Sequence, residues 1–210
     1  MNAFLAVARG SKQAPKLIVM EYNGRVTDEE KIALIGKGIC FDAGGYNLKP
    51  SVSMKGMHGD MGGAAAVIAA MGAIAQAKLG INVTAVIPAC ENMISSKAMK
   101  PGDIIASMNG KYIEVVNTDA EGRMALADAI TYAIRECGAT AVIDVATLTG
   151  ACEVALGSRY TGVFSNSDDL VAKLVQASIL AGENIWRMPM GDDEYKDLNA
   201  SSVADIANCG

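Results

Sequence analysis

Strand-length apolar segments alternate with longer helical patterns along this chain, and this alternation limits its fold more than any other feature. Ile81–Pro88 and Ala141–Ala146 are almost continuously apolar, as expected of strands covered on both faces. Helices are predicted over Gly62–Leu79, which is rich in alanine, and over Arg123–Cys137, which Gly138 ends. Strands that alternate with helices are typical of an α/β fold. The sequence therefore predicts a mixed, largely parallel central sheet that helices cover on both faces.

Turn and capping residues predict the remaining elements. Asn109-Gly110 is typical of a hairpin turn, which predicts two strands within Asp103–Val116. Ser167 and Gly182 stand at the two ends of another predicted helix. Short β-rich segments predict four further strands, which are Lys16–Met20, Lys31–Ile35, Tyr160–Ser165 and Ile185–Met188.

Further expectations concern the cap and burial of one helix and two segments outside the predicted elements. Gly80 is predicted to cap the Gly62–Leu79 helix, which is expected to be buried because nearly every face of it is apolar. Cys90–Gly102 is predicted to be a loop. Val203–Gly210 shows the pattern of neither a helix nor a strand.

The composition is that of a globular chain and argues against several classes of function. With 210 residues, of which 51% are hydrophobic and 20% charged, the chain suits one domain over residues 1–210. Its net charge of −5 argues against nucleic-acid binding, and no unbroken apolar run is long enough for a membrane span. The five cysteines are scattered and the first residues lack a basic leader. Both observations predict a reducing, cytoplasmic location with buried thiols.

Charged residues next to glycines stand at the ends of several predicted elements. Lys37, Asp42, Asp119 and Glu121 follow predicted strands, and Asp60 directly precedes the Gly62–Leu79 helix. Ligands of α/β sheets bind at the carboxyl ends of the strands, so all five can meet at one edge. Because His58 is the single histidine, a metal site here must consist mostly of carboxylates and lysines. Four crowded carboxylates repel one another unless cations neutralise them, and oxygen ligands suit zinc, manganese or magnesium. Two metals that share bridging carboxylates can activate a water between them.

Each of these residues also has a purely structural interpretation. Asp60, Asp119 and Glu121 stand at the starts of predicted helices, where acidic side chains commonly cap the helix and complement its dipole. His58 is expected at the surface or behind the ligands. Asp144 is unusual within its apolar strand, and a packing or supporting role is expected for it.

The order of these motifs resembles the leucyl aminopeptidase family of cytosolic dinuclear metallo-aminopeptidases. Residues 117–123, which read Asn-Thr-Asp-Ala-Glu-Gly-Arg, resemble the signature heptad of that family, which is highly specific. Further matching segments follow in the same order, at residues 36–45, 49–50, 60–65, 91–93, 100–103 and 146–150. The resemblance covers essentially the whole chain.

The resemblance implies which residues would bind metal. The matching ligands are Lys37, Asp42, Asp60, Asp119 and Glu121. Asp42 and Glu121 would bridge two divalent ions, zinc or manganese. Lys37 would bind one ion as a neutral amine, a form that burial and a neighbouring cation both favour.

The same resemblance implies the catalytic positions and the substrate. Lys49 would stabilise the oxyanion that forms when a metal-activated hydroxide attacks the peptide carbonyl. Arg123 would hold a bicarbonate ion that relays a proton, together with the backbone near Leu148. The second metal would bind the free amine of the substrate. The activity implied is release of N-terminal residues, with a leucine-type preference, from peptides.

The resemblance also implies how this chain relates to whole family members, which carry an N-terminal domain of different fold and form hexamers. The chain begins about where their catalytic domain starts and stops before its last segments, so we expect a partial catalytic domain with weak activity or none. Two other interpretations remain open. One is a non-catalytic binding or assembly module of the same fold. The other is a carboxylate-metal phosphohydrolase, which would need more basic residues at the site than Lys49 and Arg123.

Overall fold

The computed structural model describes residues 1–25, 30–191, 193, 196 and 200–209. These residues form two compact units, Met1–Leu148 with Leu198–Gly210, and Thr149–Asp197. The first unit holds all the predicted metal ligands. No helix in the described ranges is long and apolar enough to cross a membrane.

The order of elements along the chain is that of an α/β fold with an inserted hairpin. The strands are β1 (Lys16–Asn23), β2 (Lys31–Gly36), β3 (Gly38–Asp42), β4 (Asn82–Asn92), β5 (Ile104–Ala106), β6 (Tyr112–Glu114), β7 (Ala141–Val145), β8 (Thr161–Val163), β9 (Ile185–Arg187) and β10 (Ile206–Ala207). The helices are α1 (Asn2–Ala8), α2 (Ser51–Met54), α3 (Gly62–Gln76), α4 (Glu121–Arg135), α5 (Gly150–Leu156) and α6 (Asp168–Ala181), and Met57–Gly59 forms a turn of 3-10 helix.

The central sheet of the first unit is mixed and largely parallel, as predicted. β4 pairs antiparallel with β1 and parallel with β2 and β3, and β2 also pairs parallel with β7. β2 pairs with the first half of β4 and β3 with its second half, so β2 and β3 run end to end along one neighbour. Their junction, at Lys37, therefore lies beside the middle of β4.

Helices α3 and α4 cover opposite faces of this sheet. Side chains alternate between the two faces along each strand, so the contacts of β4 show which face each helix covers. Val83 and Ala85 of β4 pack with Val67 of α3. Val86, on the other face of β4, packs with Ala129 of α4. The predicted architecture, with helices on both faces of the sheet, is confirmed.

Helix α1, which the sequence patterns do not predict, packs on α4 and β4 through Phe4 and Val7. No side chain of its own N-cap residue caps the helix. The carboxylate of Asp128, fully buried on α4, accepts hydrogen bonds from the N–H of Phe4 at 3.1 Å and from that of Met108 at 2.7 Å. A distant residue thus supplies the cap and ties α1 and the hairpin region to α4.

The hairpin and the chain's final segment form a small second sheet. β5 and β6 pair antiparallel, which confirms the predicted hairpin, and β10 pairs parallel with β6. Val203–Gly210 therefore contains a short strand that its pattern does not predict. Asp205 anchors it, because Asp205 Oδ2 accepts from the N–H of Tyr112 and the Asp205 N–H donates back to the Tyr112 carbonyl.

The second unit contains the helix that capping residues predict. Helix α6 begins after Ser167, whose hydroxyl accepts a hydrogen bond from the N–H of Leu170 at 3.3 Å, and it ends at Gly182 in the left-handed conformation. β8 and β9 form the two predicted strands and pair parallel. Helix α5, which follows Thr149, is not predicted from the sequence.

Helix α3 differs from its prediction in length and in burial. It ends at Gln76, and the left-handed residue that follows is Lys78, with φ of 50°, and not Gly80. One face alone is buried, while Ile68 is 44% exposed. The expectation of burial on nearly every side is wrong because only one face of the helix meets the sheet.

The predicted loop Cys90–Gly102 is also wrong at its start. β4 continues to Asn92 because Gly38–Asp42 forms a strand that pairs with its second half. This pairing buries Cys90 but leaves Cys40 exposed, so the expected burial of the thiols fails for Cys40.

Candidate metal centre

The five predicted ligands lie where strands end and helices begin in the first unit. Lys37 joins β2 to β3, and Asp42 is the last residue of β3. Asp60 follows the 3-10 turn that leads into α3. Glu121 is the first residue of α4, two positions after Asp119. The parallel strands and the two helices thus direct all five towards one region of the sheet.

Lys37 is the buried centre of one half of this cluster. Its Nζ lies 2.8 Å from Asp60 Oδ2 and 3.0 Å from Glu121 Oε1. It also donates a hydrogen bond to the carbonyl of Thr147 at 3.0 Å. The hydroxyl of Thr147 donates to Asp60 Oδ1 at 2.6 Å, so Thr147 orients both partners of this ion pair.

Lys49 is the centre of the other half. Its Nζ lies 3.0 Å from Asp42 Oδ2 and 2.6 Å from Asp119 Oδ1. Two ammonium groups therefore face four carboxylates, and the cluster keeps a surplus of negative charge. Such a surplus in a region that is mostly buried is costly unless cations compensate for it.

The carboxylates in this cluster fit a divalent cation. Asp42, Asp119 and Glu121 each place one oxygen within 4.8 Å of the others. Asp42 and Glu121 are buried, and the buried Glu121 Oε2 makes no hydrogen bond among the described residues. Asp60 reaches the group through its ion pair with Lys37. Oxygen donors at this spacing, one of them without a protein partner, suit ions such as zinc or manganese.

The pKa values of the cluster reflect competition between burial and ion pairing. Burial lowers the pKa of Lys37, but the carboxylates of Glu121 and Asp60 outweigh burial, and the pKa is raised. Burial of Lys49 is likewise outweighed by Asp119 and Asp42, which raise its pKa. Burial raises the pKa of Glu121, because the ammonium of Lys37 compensates only in part. Burial alone therefore does not make Lys37 a neutral amine, and a bound cation would have to displace its proton.

Two amide side chains and a threonine, whose roles were not predicted from the sequence, join the loop that carries Lys49 to the loop that carries Asp119. Asn92, the buried last residue of β4, donates from Nδ2 to Asp42 Oδ1 at 2.8 Å and to the Thr118 carbonyl at 3.0 Å. The N–H groups of Asn47 and Thr118 each donate to the other's side-chain oxygen at 2.8 Å. The available signal for Asn92 was a polar residue at the end of an apolar strand.

The loop that carries Lys49 turns through two glycines with left-handed φ angles, Gly44 at 86° and Gly45 at 65°. A Cβ atom at Gly44 would stand 2.9 Å from Asp119 Oδ1, and one at Gly45 would stand 2.9 Å from Thr118 Oγ1. The turn therefore needs glycine both for its conformation and for its close approach to the loop that carries Thr118 and Asp119.

The remaining singled-out residues differ in their relation to this cluster. Arg123 lies two residues after Glu121, and its buried Nε makes no hydrogen bond in the described part of the chain. Leu148 directly follows Thr147 and is partly exposed. His58 is exposed in the 3-10 turn and Asp144 is exposed on β7, and neither belongs to the carboxylate cluster.

Similarity to known proteins extends over the whole chain. The family described as "Cytosol aminopeptidase family, catalytic domain" matches residues 1–210. A probable cytosol aminopeptidase of Treponema denticola is 54% identical over 210 residues, which are 100% of this chain and 44% of that protein. One of Clostridium tetani is 53% identical over 208 residues, which are 99% of this chain and 43% of that protein.

A solved structure shares the fold. The bottromycin maturation enzyme BotP superposes with a TM-score of 0.91 at 39% identity, over 99% of this chain and 44% of that one. The chain thus spans less than half the length of each of these three proteins. The sequence match along its entire length, on the same fold, means that this chain belongs to the cytosol aminopeptidase family, whose catalytic domain matches residues 1–210.

Proposed function

We propose that this chain forms the metal site of a dinuclear, metal-dependent aminopeptidase that removes N-terminal residues, with a leucine-type preference, from peptides. The observation that carries the proposal is the convergence of four carboxylates and two lysines on one largely buried region. Membership of the cytosol aminopeptidase family supports peptidase activity in general.

The proposed ligands divide into a shared pair and three others. Asp42 and Glu121 would be shared by two ions of zinc or manganese. Lys37, Asp60 and Asp119 would complete the set. The support is the 4.8 Å grouping of three of the carboxylates and the unbonded, buried Oε2 of Glu121. Removing the proton of Lys37 on binding would couple metal affinity to pH.

Bound ions would supply a water activated for attack and a Lewis acid for the peptide carbonyl. The residues of the chain would then stabilise the charge that develops. Lys49 keeps its ammonium because Asp42 and Asp119 raise its pKa, so it can face a developing oxyanion. Its neighbouring ion pairs hold the ammonium in place without consuming all three of its donors.

Arg123 would bind a bicarbonate ion together with the backbone at Leu148. A guanidinium suits such a planar anion because it can donate two parallel hydrogen bonds. The buried Nε of Arg123, which makes no hydrogen bond among the described residues, supports a role in anion binding.

Substrates with a free N-terminus follow from the same chemistry, because a neutral amine can bind a metal and an acetylated one does so poorly. Assembly into a hexamer and a cytoplasmic location complete the proposal. The location is supported by the names of the relatives, which are cytosol aminopeptidases.

The test uses a version of the chain extended to the length of its relatives. It compares leucine p-nitroanilide with its N-acetylated form, after removal of metal by chelation and after addition of zinc or manganese. We expect hydrolysis of the free amine alone, and only with metal present. Comparable rates on both substrates would point to an endopeptidase or an esterase. Full activity in excess chelator would overturn the metal-dependent mechanism.

A further inference from the structure

Asn208 lies in the segment whose sequence pattern predicts no element and joins that segment to the ligand loop. It follows β10 and is almost completely buried, with 3% of its surface exposed. Its backbone N–H continues the pairing of β10 with β6 by donating to the Glu114 carbonyl at 2.9 Å. The pairing fixes the position of the side chain, which points into the loop between β6 and α4.

The carboxamide of Asn208 makes four hydrogen bonds with the backbone of that loop. Its Oδ1 accepts from the N–H of Val116 at 2.8 Å and from the N–H of Asn117 at 3.1 Å. Its Nδ2 donates to the carbonyl of Asn117 at 2.6 Å and to the carbonyl of Ala120 at 3.3 Å. Both donors and the acceptor oxygen of the amide are used, which no other side chain of this size can reproduce.

The loop that Asn208 holds carries two of the proposed metal ligands. Asp119 lies between the two carbonyls that accept from Nδ2, and Glu121 directly follows Ala120. Helix α4 has no side-chain cap from its own N-cap residue, Ala120. Asn92 holds the loop at Thr118, by donating to its carbonyl. Asn208 holds it at Val116, Asn117 and Ala120.

We propose that Asn208 is a positioning residue for the metal centre, which sets the places of Asp119 and Glu121 through the backbone at 116–120. The proposal rests on the proposed function, since it concerns the same ligands. The N–H groups of Val116 and Asn117 both donate to Asn208, so removing the amide leaves this end of the loop without these two hydrogen bonds. Residues that orient metal ligands typically change metal affinity on the order of 10–100-fold when they are replaced.

The experiment measures the affinity of the protein for manganese by competition with a fluorescent chelator, together with thermal unfolding of the metal-free form. Asn208→Ala removes all four hydrogen bonds. Asn208→Asp keeps the size and the accepting oxygen but replaces the donor with an oxygen that faces two carbonyls. We expect both variants to bind manganese at least tenfold more weakly than the unaltered protein.

Ser201→Ala is the matched control, because Ser201 lies just before that segment and its hydroxyl donates at 2.6 Å to the side chain of Glu114, outside the loop backbone at 116–120. We expect it to lower thermal stability slightly and to leave manganese affinity unchanged. Should Asn208→Ala fail to fold, Asn208→Asp decides.

Two results would overturn the role of Asn208, and they can be told apart. Unchanged manganese affinity in a folded Asn208→Asp variant would leave Asn208 with a structural role alone. Failure of the unaltered protein to bind any divalent ion would instead overturn the proposed function together with this inference.

Discussion

The side chain of Lys37 passes so close to the backbone of Gly122 that a Cβ atom at position 122 would stand 2.4 Å from Lys37 Cε and 2.8 Å from its Nζ. Gly122 is the second residue of α4, where other side chains would favour the helix more. The glycine therefore serves the approach of Lys37 to Glu121 and Asp60, which lie 3.0 Å and 2.8 Å from Nζ.

Gly122→Ala is expected to displace Lys37, because the end of a lysine side chain moves more easily than the helix backbone. The displacement would break its ion pairs with Asp60 and Glu121. We expect divalent-metal affinity to fall on the order of tenfold or more. A chelator competition assay measures this loss.

Gly72→Ala is the control for this substitution, since Gly72 lies within α3 and a Cβ there meets nothing within 4 Å. It should stabilise the protein by up to about 1 kcal/mol through helix propensity and leave metal affinity unchanged. Equal metal affinity in the Gly122→Ala variant would show that Lys37 does not depend on the glycine.

The sequence predicted that the proposed ligands lie close together because chemistry and local pattern agree there. Lys37 and Asp42 follow an apolar strand, and Asp119 and Glu121 lie at the start of a helix, so the end-of-strand rule for α/β sheets brings them together. The helix after Ser167 was likewise predicted from capping residues that lie next to it in the chain. Local signals were sufficient wherever the contacts that matter are local.

The groups that hold the site were missed because their partners are distant in sequence. Asn208 bonds to a loop about 90 residues earlier, and Asp128 caps a helix 124 residues before it. A side chain that binds backbone groups leaves no pattern in its own neighbourhood, so neither the cap of α1 nor the clamp on the ligand loop could be predicted. The predicted end of α3 was wrong for another reason: Lys78 takes the left-handed conformation that the sequence pattern assigned to Gly80.

Lys78→Gly is expected to stabilise the protein. Lys78 has φ of 50°. This left-handed conformation costs a residue with a Cβ roughly 1–2 kcal/mol. Glycine avoids that cost, but part of the gain is lost because glycine makes the unfolded chain more flexible. A net gain of about 0.5–1 kcal/mol in the free energy of unfolding should appear in urea titrations. Lys78→Ala, which keeps the Cβ, should give no such gain. If alanine stabilises as much as glycine, the backbone strain is not the cause.

Glu121→Gln is expected to abolish binding of both ions, because Glu121 is proposed to be shared between them. Metal analysis after dialysis against zinc or manganese should give about two ions per chain for the unaltered protein and almost none for the variant. Glu136→Gln, at an exposed carboxylate at the end of the same helix, should keep the full complement. A full complement in Glu121→Gln would rule out the shared ligand.

The same variant should change how the stability of the metal-free protein depends on pH. Burial raises the pKa of Glu121 from its ordinary 4.5 to about 7, against the partial compensation of Lys37. Between these values the unfolded chain has lost the proton that the folded chain still holds, so the contribution of Glu121 to stability falls as pH rises. In excess chelator, the unfolding temperature of Glu121→Gln relative to that of the unaltered protein should therefore rise from pH 4.5 to pH 7. A constant difference across this range would contradict the raised pKa.

Lys49→Ala should separate catalysis from metal binding. Lys49 pairs with Asp42 and Asp119 at 3.0 Å and 2.6 Å. Its removal leaves those two carboxylates without a cationic partner, so binding of a metal cation should be no weaker. In a complete, active version, extended to the length of the relatives, turnover of leucine p-nitroanilide should nevertheless fall on the order of 10²–10³, the usual loss when a group that stabilises an oxyanion is removed. Metal content, measured on the same samples, should stay at the level of the unaltered protein. Lys55→Ala, at an exposed lysine in the same loop region, should change neither quantity. Loss of metal from Lys49→Ala would instead make Lys49 a metal ligand.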